Sequence, residues 1–361
     1  MQPIDIAWDD CLVPPLAPVP PVAAQAKKTF GSVIDMVKRV SHVPWVAQAC
    51  IDLQAHPLSE VPYELADLLH LVVSQDNSCR YCYGVARTML RISGRSDDEV
   101  SRLETNLVSA EASPAERAAL EYARLVSRAN PRPGPNEESA LRTAGYTPGA
   151  VEEIALYVAC VIIINRLMTL LAIQPDPIEM MPDKWYGTFM KPVIRRMMAK
   201  GRRRGPRAPF GPGENTGMFA ATLAAVDGVP RAKVLRQAID SAYASELLPR
   251  RTKLWMTATV GRALGCPAAE ADSVRELQAE GVAPEAIERV LRNLGGPELD
   301  ALEARLVPLA RESVRYQPKY IQEQVRAATV GLTPAQVVEV AGVCAIANGM
   351  ARLSVLLNRC G

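Results

Sequence analysis

The run Asp67-Leu68-Leu69-His70-Leu71-Val72-Val73-Ser74-Gln75-Asp76-Asn77-Ser78-Cys79-Arg80-Tyr81-Cys82 reads as one helix ending, a polar break, and a second helix beginning. Leu65, Leu68, Leu69 and Val72 fall on one face at helical spacing, with Pro62 ahead of them as an opener. The polar Gln75-Asp76-Asn77-Ser78 stops that pattern, and it resumes from Cys79 to Ile92. Gly94 then supplies a residue that tolerates the left-handed turn closing a helix. The stretch predicts a helix over Tyr63–Ser74 and another over Cys79–Ile92, the second opened by a CxxC pair.

The rest of the chain points to the same fold class. It has 361 residues, enough for two cores, and only 5% aromatic content among abundant Ala, Leu, Arg and Glu. Unbranched side chains lose little rotamer freedom in a helix, so this mixture favours an all-α fold. Pro114–Arg128 and the segment opened by Thr147-Pro148 read as further helices, with Thr147 as N-cap and Pro148 in the first turn. Pro44 after His42-Val43 opens another. Asn130-Pro131-Arg132-Pro133-Gly134-Pro135 is a loop by composition. Residues 1–30, with Pro14, Pro15, Pro18, Pro20 and Pro21, read as an extended arm along a surface or a partner subunit.

A net charge of +2 provides no field for nucleic acid or an acidic membrane. The most apolar segment, Ile154–Ile173, carries Asn165-Arg166 at its middle and reads as a buried helix rather than a membrane span. Its Arg166 is expected to cap a neighbouring helix end. No basic region followed by an apolar run is seen near Met1, and eight scattered cysteines in a core-rich chain suit reduced thiols, so a cytoplasmic location is expected.

The second half repeats the first. Pro44, Ser59-Glu60, Gly94, Thr147-Pro148 and Arg166-Leu167 recur as Pro230, Ser245-Glu246, Gly281, Thr333-Pro334 and Arg352-Leu353, at offsets of 186 or 187. This register divides the chain into an arm (1–30), a first repeat with the CxxC (31–173), a basic proline-rich linker (174–216) and a degenerate second repeat (217–361). Within the linker, Lys200-Gly201-Arg202-Arg203-Arg204-Gly205-Pro206-Arg207 reads as solvated, because no aromatic residue is interleaved with it. In the second copy Cys266 stands for Cys79, but Ala269 stands for Cys82 and Lys253 or Leu254 for Asp67. A lone packed cysteine in a structural copy is expected there.

The CxxC admits three readings. A zinc site needs two more ligands, yet there is no second CxxC, and His42, His56 and His70 lack paired-ligand spacing. Two inert buried thiols would need no polar flank, and this flank is Asp76, Asn77, Ser78 and Arg80. A redox pair fits best, since a helix N-terminus and a nearby Arg both stabilise thiolate.

The run from Asp67 to Cys82 resembles the redox branch of the alkylhydroperoxidase AhpD / carboxymuconolactone decarboxylase family. There an acidic residue, usually Glu, lies twelve positions before the first Cys, and a His lies four after the second. Here the acid is Asp67, and Ala86 stands where the His is expected. The resemblance follows helix order through most of both halves, while the motif occurs once. It implies two AhpD-like helical repeats in tandem and a thiol peroxidase or disulfide reductase. In that chemistry Cys82 attacks a hydroperoxide and Cys79 resolves the sulfenic acid to a disulfide. A helix-dipole argument instead favours Cys79 as the lower-pKa thiol. The implied partners are a hydroperoxide or other small-molecule substrate and a thiol or dithiol reductant. A homo-oligomer in which each chain acts as a pseudo-dimer is also implied, with no cofactor or metal.

His70, three residues after Asp67, shares its helical face. It is either a substitute base that Asp67 orients toward the thiols or a half-buried core histidine. Arg87 could serve as a fixed positive charge, and Tyr63, Tyr81 and Tyr83 either line a pocket or pack. The candidate catalytic set is therefore Cys79, Cys82, Asp67 and His70. A non-catalytic or scaffold role is the alternative, and lactone decarboxylation has no need of a redox CxxC.

Overall fold

The computed structural model describes every residue except 1–6, 56, 106–111, 129–134, 180–183, 185–188, 190, 197–201, 203 and 357–361. The loop expected over 130–134, part of the basic run, His56 and Cys360 therefore lie outside the described residues. The described chain is all-α: α1 (Pro20–Phe30), α2 (Asp35–Val40), α3 (Pro44–Ala55), α4 (Tyr63–Asp76), α5 (Arg80–Ser93), α6 (Asp97–Thr105), α7 (Pro114–Arg128), α8 (Pro135–Thr143), α9 (Pro148–Leu170), α10 (Ala220–Ala224), α11 (Pro230–Ala244), α12 (Arg250–Ala263), α13 (Pro267–Ala279), α14 (Pro284–Asn293), α15 (Glu303–Glu312), α16 (Pro318–Ala328) and α17 (Pro334–Leu356). No strand occurs among the described residues; the one isolated bridge joins Ala208 to Gly228.

Local chemistry sets most helix ends. Thr147 Oγ1 accepts the Ala150 N–H at 3.0 Å ahead of Pro148, and Gly94, at φ 112°, closes α5. The residues before Tyr63 differ, because Pro62 has no side-chain oxygen to serve as a cap. Their exposed N–H groups are met from a distance: buried Glu153 of α9 accepts from Ser59, Glu60 and Val61 at 2.6, 2.8 and 2.7 Å. That carboxylate ties the entry of α4 to the central helix.

The core is built around α9 and α17. Both are long and apolar enough to pass for membrane spans, yet their most apolar windows are 94% and 100% buried within the chain. The two helices pack on each other, and a Cβ at Gly349 would lie 2.3 Å from Ile163 Cγ1, so only glycine permits this approach. Helices α3–α9 and α11–α17 run in matching order, with starts between 183 and 189 residues apart.

Two buried arginines link the halves reciprocally. Arg166 of α9 donates to Val314 O at 2.9 Å, and Arg352 of α17 donates to Ser127 O at 3.2 Å. The donors are 186 apart and the acceptors 187, so each half inserts an arginine against the end of the other half's equivalent helix. The expectation that Arg166 caps a helix end is met.

Two expectations about the flanking segments are corrected. The arm is extended only up to Val19, where Trp8 donates to Ile173 O and Leu12 N–H to Leu171 O; residues 20–30 form α1, packed on α3. Pro20 and Pro21 occupy the first turn, where a missing N–H costs nothing, and an Ala-rich segment follows. The linker is likewise not simply solvated. Arg207 pairs with Glu60 and Glu152 at 3.1 and 2.8 Å, and Gly205 N–H donates to Leu58 O at 3.0 Å.

Helices α12 and α13 approach closely at Gly261. A Cβ on Gly261 would meet Glu270 N at 2.8 Å and Ala269 C at 3.2 Å. Gly261→Ala should therefore force the two helices apart and cost about 2 kcal/mol, against a small gain in helix propensity. Equilibrium urea unfolding checks this; an unchanged midpoint would refute the close-approach argument.

Candidate functional site

The elbow between α4 and α5 holds the CxxC. At the end of α4 the N–H groups of Asn77, Ser78 and Cys79 donate to Val73, Gln75 and Ser74 carbonyls, all at 3.0 Å. Ser78 sits in the left-handed region at φ 51°, a conformation costing a residue with a Cβ about 1 kcal/mol. Asn77 Nδ2 donates to Val73 O at 2.8 Å and to Ser127 Oγ at 2.7 Å, pinning the strained turn to α7. Gly265, at φ 57°, takes the matching place in the second half, again just before a cysteine.

Cys79 is the N-cap of α5, and its sulfur accepts the Cys82 N–H at 3.3 Å. The expected α5 thus begins one residue later, with Cys79 as its cap, and α4 runs two residues further, to Asp76. Both thiols are buried, with 0% and 1% exposure. Burial pushes Cys82 well above the ordinary thiol pKa, and its hydrogen bond with Cys79 and the proximity of Cys50 push it further. Cys82 is a protonated thiol at neutral pH.

The cations expected to offset this are engaged elsewhere. Arg80 Nη1 donates to both carboxylate oxygens of Glu179, at 3.0 and 2.8 Å, so the neighbouring Arg does not serve the thiols. Gly84 makes room for that carboxylate, since a Cβ there would lie 1.9 Å from Glu179 Oε1. Arg87 pairs with buried Glu104 at 3.3 Å, and Glu104 also takes a hydrogen bond from Tyr83. Long side chains starting on one helix face were free to turn outward to acids that the sequence order did not place nearby.

Asp67 and His70 face a cavity of about 620 Å³ bounded by α1, α3, α4, α5 and α9. Tyr63, Ala66, Asp67 and His70 form the α4 wall, and Val85 and Met89 come from α5. Cys82 lies one turn from Val85 on the same helix, beyond the cavity lining. Asp67 does not orient His70: its carboxylate pairs with Arg202 of the linker, whose guanidinium lies 5.6 Å from the Tyr63 ring centroid. Burial still outweighs Arg202 and raises the Asp67 pKa. His70 makes no hydrogen bond among the described residues. Burial pulls its pKa down from 6.5 to about 4, so a neutral imidazole faces the cavity through its partly open edge.

Other residues of the cavity were missed from sequence. Tyr157 and buried Cys160 come from α9, the latter with its thiol pushed up to about 12 by burial. Arg231, from α11 of the second half, lies 5.3 Å from the Tyr157 ring centroid and donates to Leu53 O at 3.0 Å. Nothing in the local sequence sets Arg231 apart from Lys233 and Arg236 of the same helix. Of the three tyrosines near the motif, Tyr63 alone lines the cavity; Tyr81 and Tyr83 are buried. No cluster of His, Cys, Asp and Glu suited to a metal occurs among the described residues.

In the second half Cys266 is disulfide-bonded, which corrects the expectation of a lone packed thiol. No residue local to Cys266 signals a bonding partner. The buried pair Lys253–Glu339, at 2.8 Å, further distinguishes this half; Glu339 also accepts from Ser245 Oγ at 2.6 Å.

The depressed His70 pKa carries a stability signature. The unfolded chain takes up this proton below pH 6.5, whereas the folded chain resists until about pH 4, so stability falls as pH drops through that window. The loss should reach up to about 2 kcal/mol at pH 5, because each tenfold difference in proton affinity between the two states is worth about 1.4 kcal/mol. His70→Gln should remove it, seen as a smaller stability difference between pH 7 and pH 5 in denaturant melts. An identical difference in both proteins would show that His70 is solvated.

Residues 53–125, from the end of α3 into α7, match the family model described as the carboxymuconolactone decarboxylase family. The all-α fold agrees with it, and the matched segment contains the elbow, both thiols, Asp67 and His70. No curated protein and no solved structure matches the chain. The segment that carries the thiol elbow is thus similar to the carboxymuconolactone decarboxylase family.

Proposed function

We propose that the chain is a dithiol oxidoreductase of the alkylhydroperoxidase type, working through Cys79 and Cys82. The observation that carries this reading is the contact of Cys79 Sγ with the Cys82 N–H at the start of α5. The capping sulfur and the thiol three residues on are held together at the positive end of a helix, where a disulfide can close without unwinding it. In the reaction, Cys82 sulfur attacks the distal oxygen of a hydroperoxide and the alcohol leaves with a proton. The resulting sulfenic acid condenses with the Cys79 thiol, releasing water and forming the disulfide. An external dithiol then supplies the two electrons and two protons that restore both thiols. The cavity bounded by Tyr63, His70 and Met89 is the proposed entry for the organic part of the substrate.

The same reading assigns the second half a supporting role. The chain is a fused pair of one helical unit, and the reciprocal Arg166 and Arg352 contacts support this. The second unit has Leu254 and Ala269 where the first has Asp67 and Cys82, so one redox site per chain is proposed. Its contribution to that site is Arg231, at the cavity wall.

A protonated, buried Cys82 without a nearby free cation should react slowly at neutral pH. Its alkylation rate is expected to climb tenfold per pH unit through pH 9, with no plateau near neutrality. A plateau beginning below pH 7 would overturn this picture of the resting thiol. If His70 assists, His70→Ala lowers peroxide reactivity and moves that profile; an unmoved profile removes His70 from the mechanism.

Thiol counting before and after one equivalent of an organic hydroperoxide, without oxygen, tests the function itself. Two thiols should be lost, and neither Cys79→Ser nor Cys82→Ser should form the internal disulfide. Retention of all thiols over hours would leave a binding or scaffold role as the better reading.

A further inference from the structure

A second cavity, of about 320 Å³, opens where the two halves meet. Its walls include the Asn77-Ser78 turn, Arg166, Arg315, Tyr316 and Arg352. It lies at the C-terminal end of α4, where Asp76 is about 9 Å along the helix from His70 at 1.5 Å per residue, and it shares no lining residue with the cavity above.

The charges around it do not balance. Arg166 and Arg352 are 4% and 1% exposed, and Arg315 is exposed at the rim. Among the described residues none of the three has a carboxylate within ion-pair distance. Asp76 is the one acid lining the cavity, and it is already paired with Arg128 at 2.8 Å.

The buried guanidinium groups are held by neutral acceptors. Arg166 donates to Tyr316 Oη at 2.6 Å and Val314 O at 2.9 Å, and its guanidinium lies 4.4 Å from the Tyr316 ring centroid. Arg352 donates to Val314 O at 3.0 Å, Ser127 O at 3.2 Å and Asn348 Oδ1 at 2.6 Å. Carbonyls at helix ends carry only about half a negative charge per helix, so they offset part of two buried cations and none of Arg315. A buried charge without a counter-ion costs several kcal/mol. Arg352 registers this: burial first, then Arg166 and Arg315, lower its pKa well below the usual value.

We propose that this cavity binds a small oxyanion-bearing metabolite, a phosphate or carboxylate compound of a few carbon atoms, which supplies the missing negative charge to Arg166, Arg315 and Arg352. Arginine forks suit planar or tetrahedral oxyanions through paired N–H donors. Their orientation is fixed before a ligand arrives, because each buried fork is already held on at least two acceptors. The volume, about 320 Å³, lies at the low end for small-molecule pockets and suits a compact ligand.

The test uses the full chain at low ionic strength. Calorimetric titration with inorganic phosphate and, separately, with succinate should show one site per chain for at least one of them, and the tighter probe identifies the oxyanion class. Arg315→Glu changes an exposed residue, keeps the fold, and should weaken binding at least tenfold. Arg166→Gln, where circular dichroism shows it folded, should do the same, while exposed Arg311→Gln should leave binding unchanged. The inference fails if neither probe binds beyond a chloride control at matched ionic strength. It fails equally if binding survives Arg315→Glu.

Discussion

The two long apolar helices α9 and α17 bury their side chains against each other and against the helices around them, and the fold is organised by that burial. Gly349 removes the Cβ that would strike Ile163, so the helices meet closely enough to leave little space between them. Once they are joined, α4, α5 and α7 of the first half and α11, α12 and α13 of the second pack on the outside of this pair. Glu153 shows how the centre reaches outward: from the core helix it satisfies three consecutive N–H groups ahead of α4. The position of α4 is thereby fixed by a carboxylate that lies about ninety residues away in sequence.

The same centre explains why charged residues lie deep inside. The ends of α7 and α15 expose carbonyls toward the junction of the halves, and arginines from the opposite halves answer them. The solution is rich in hydrogen bonds and unbalanced in charge. Elsewhere in the interior a cation and a carboxylate meet directly, as with Lys253 and Glu339. The junction is therefore a place where buried positive charge accumulates beside open volume.

At the elbow, helix geometry and electrostatics work against each other. The N-terminal end of α5 favours a negative sulfur, but burial excludes the water that would solvate it, and Arg80 and Arg87 turn to Glu179 and Glu104. Burial dominates for Cys82. The adjoining cavity follows the same rule: Asp67 is raised despite Arg202, and His70 is neutral. Burial thus shifts both groups toward their uncharged forms.

Much of the helical order was legible because it is local. Leu65, Leu68 and Leu69 mark the buried face of α4, Gly94 ends α5, and Thr147-Pro148 starts α9. The extent of α1 was missed, since prolines at a first turn look like prolines of an extended arm until the packing of Val22 and Ala26 is known. At the candidate site, the thiols stand out as a CxxC, Asp67 is named by the family resemblance, and His70 by its spacing from Asp67. Their partners could not be named: Arg202, Glu179 and Arg231 come from segments whose own sequence says only that they are charged.

The amino-acid sequence by itself determined the all-α class, the boundaries of α4, α5 and α7 to within two residues, and the place of the CxxC at the start of α5. Periodicity, capping and proline positions act over a few residues, so they can be read without knowing the fold. Only the tertiary structure decided which charges meet, that the Cys82 thiol is protonated, and that Asp67 serves Arg202 rather than His70. Those outcomes depend on burial and on long side chains reaching across wide gaps in the sequence, and neither is encoded in local pattern.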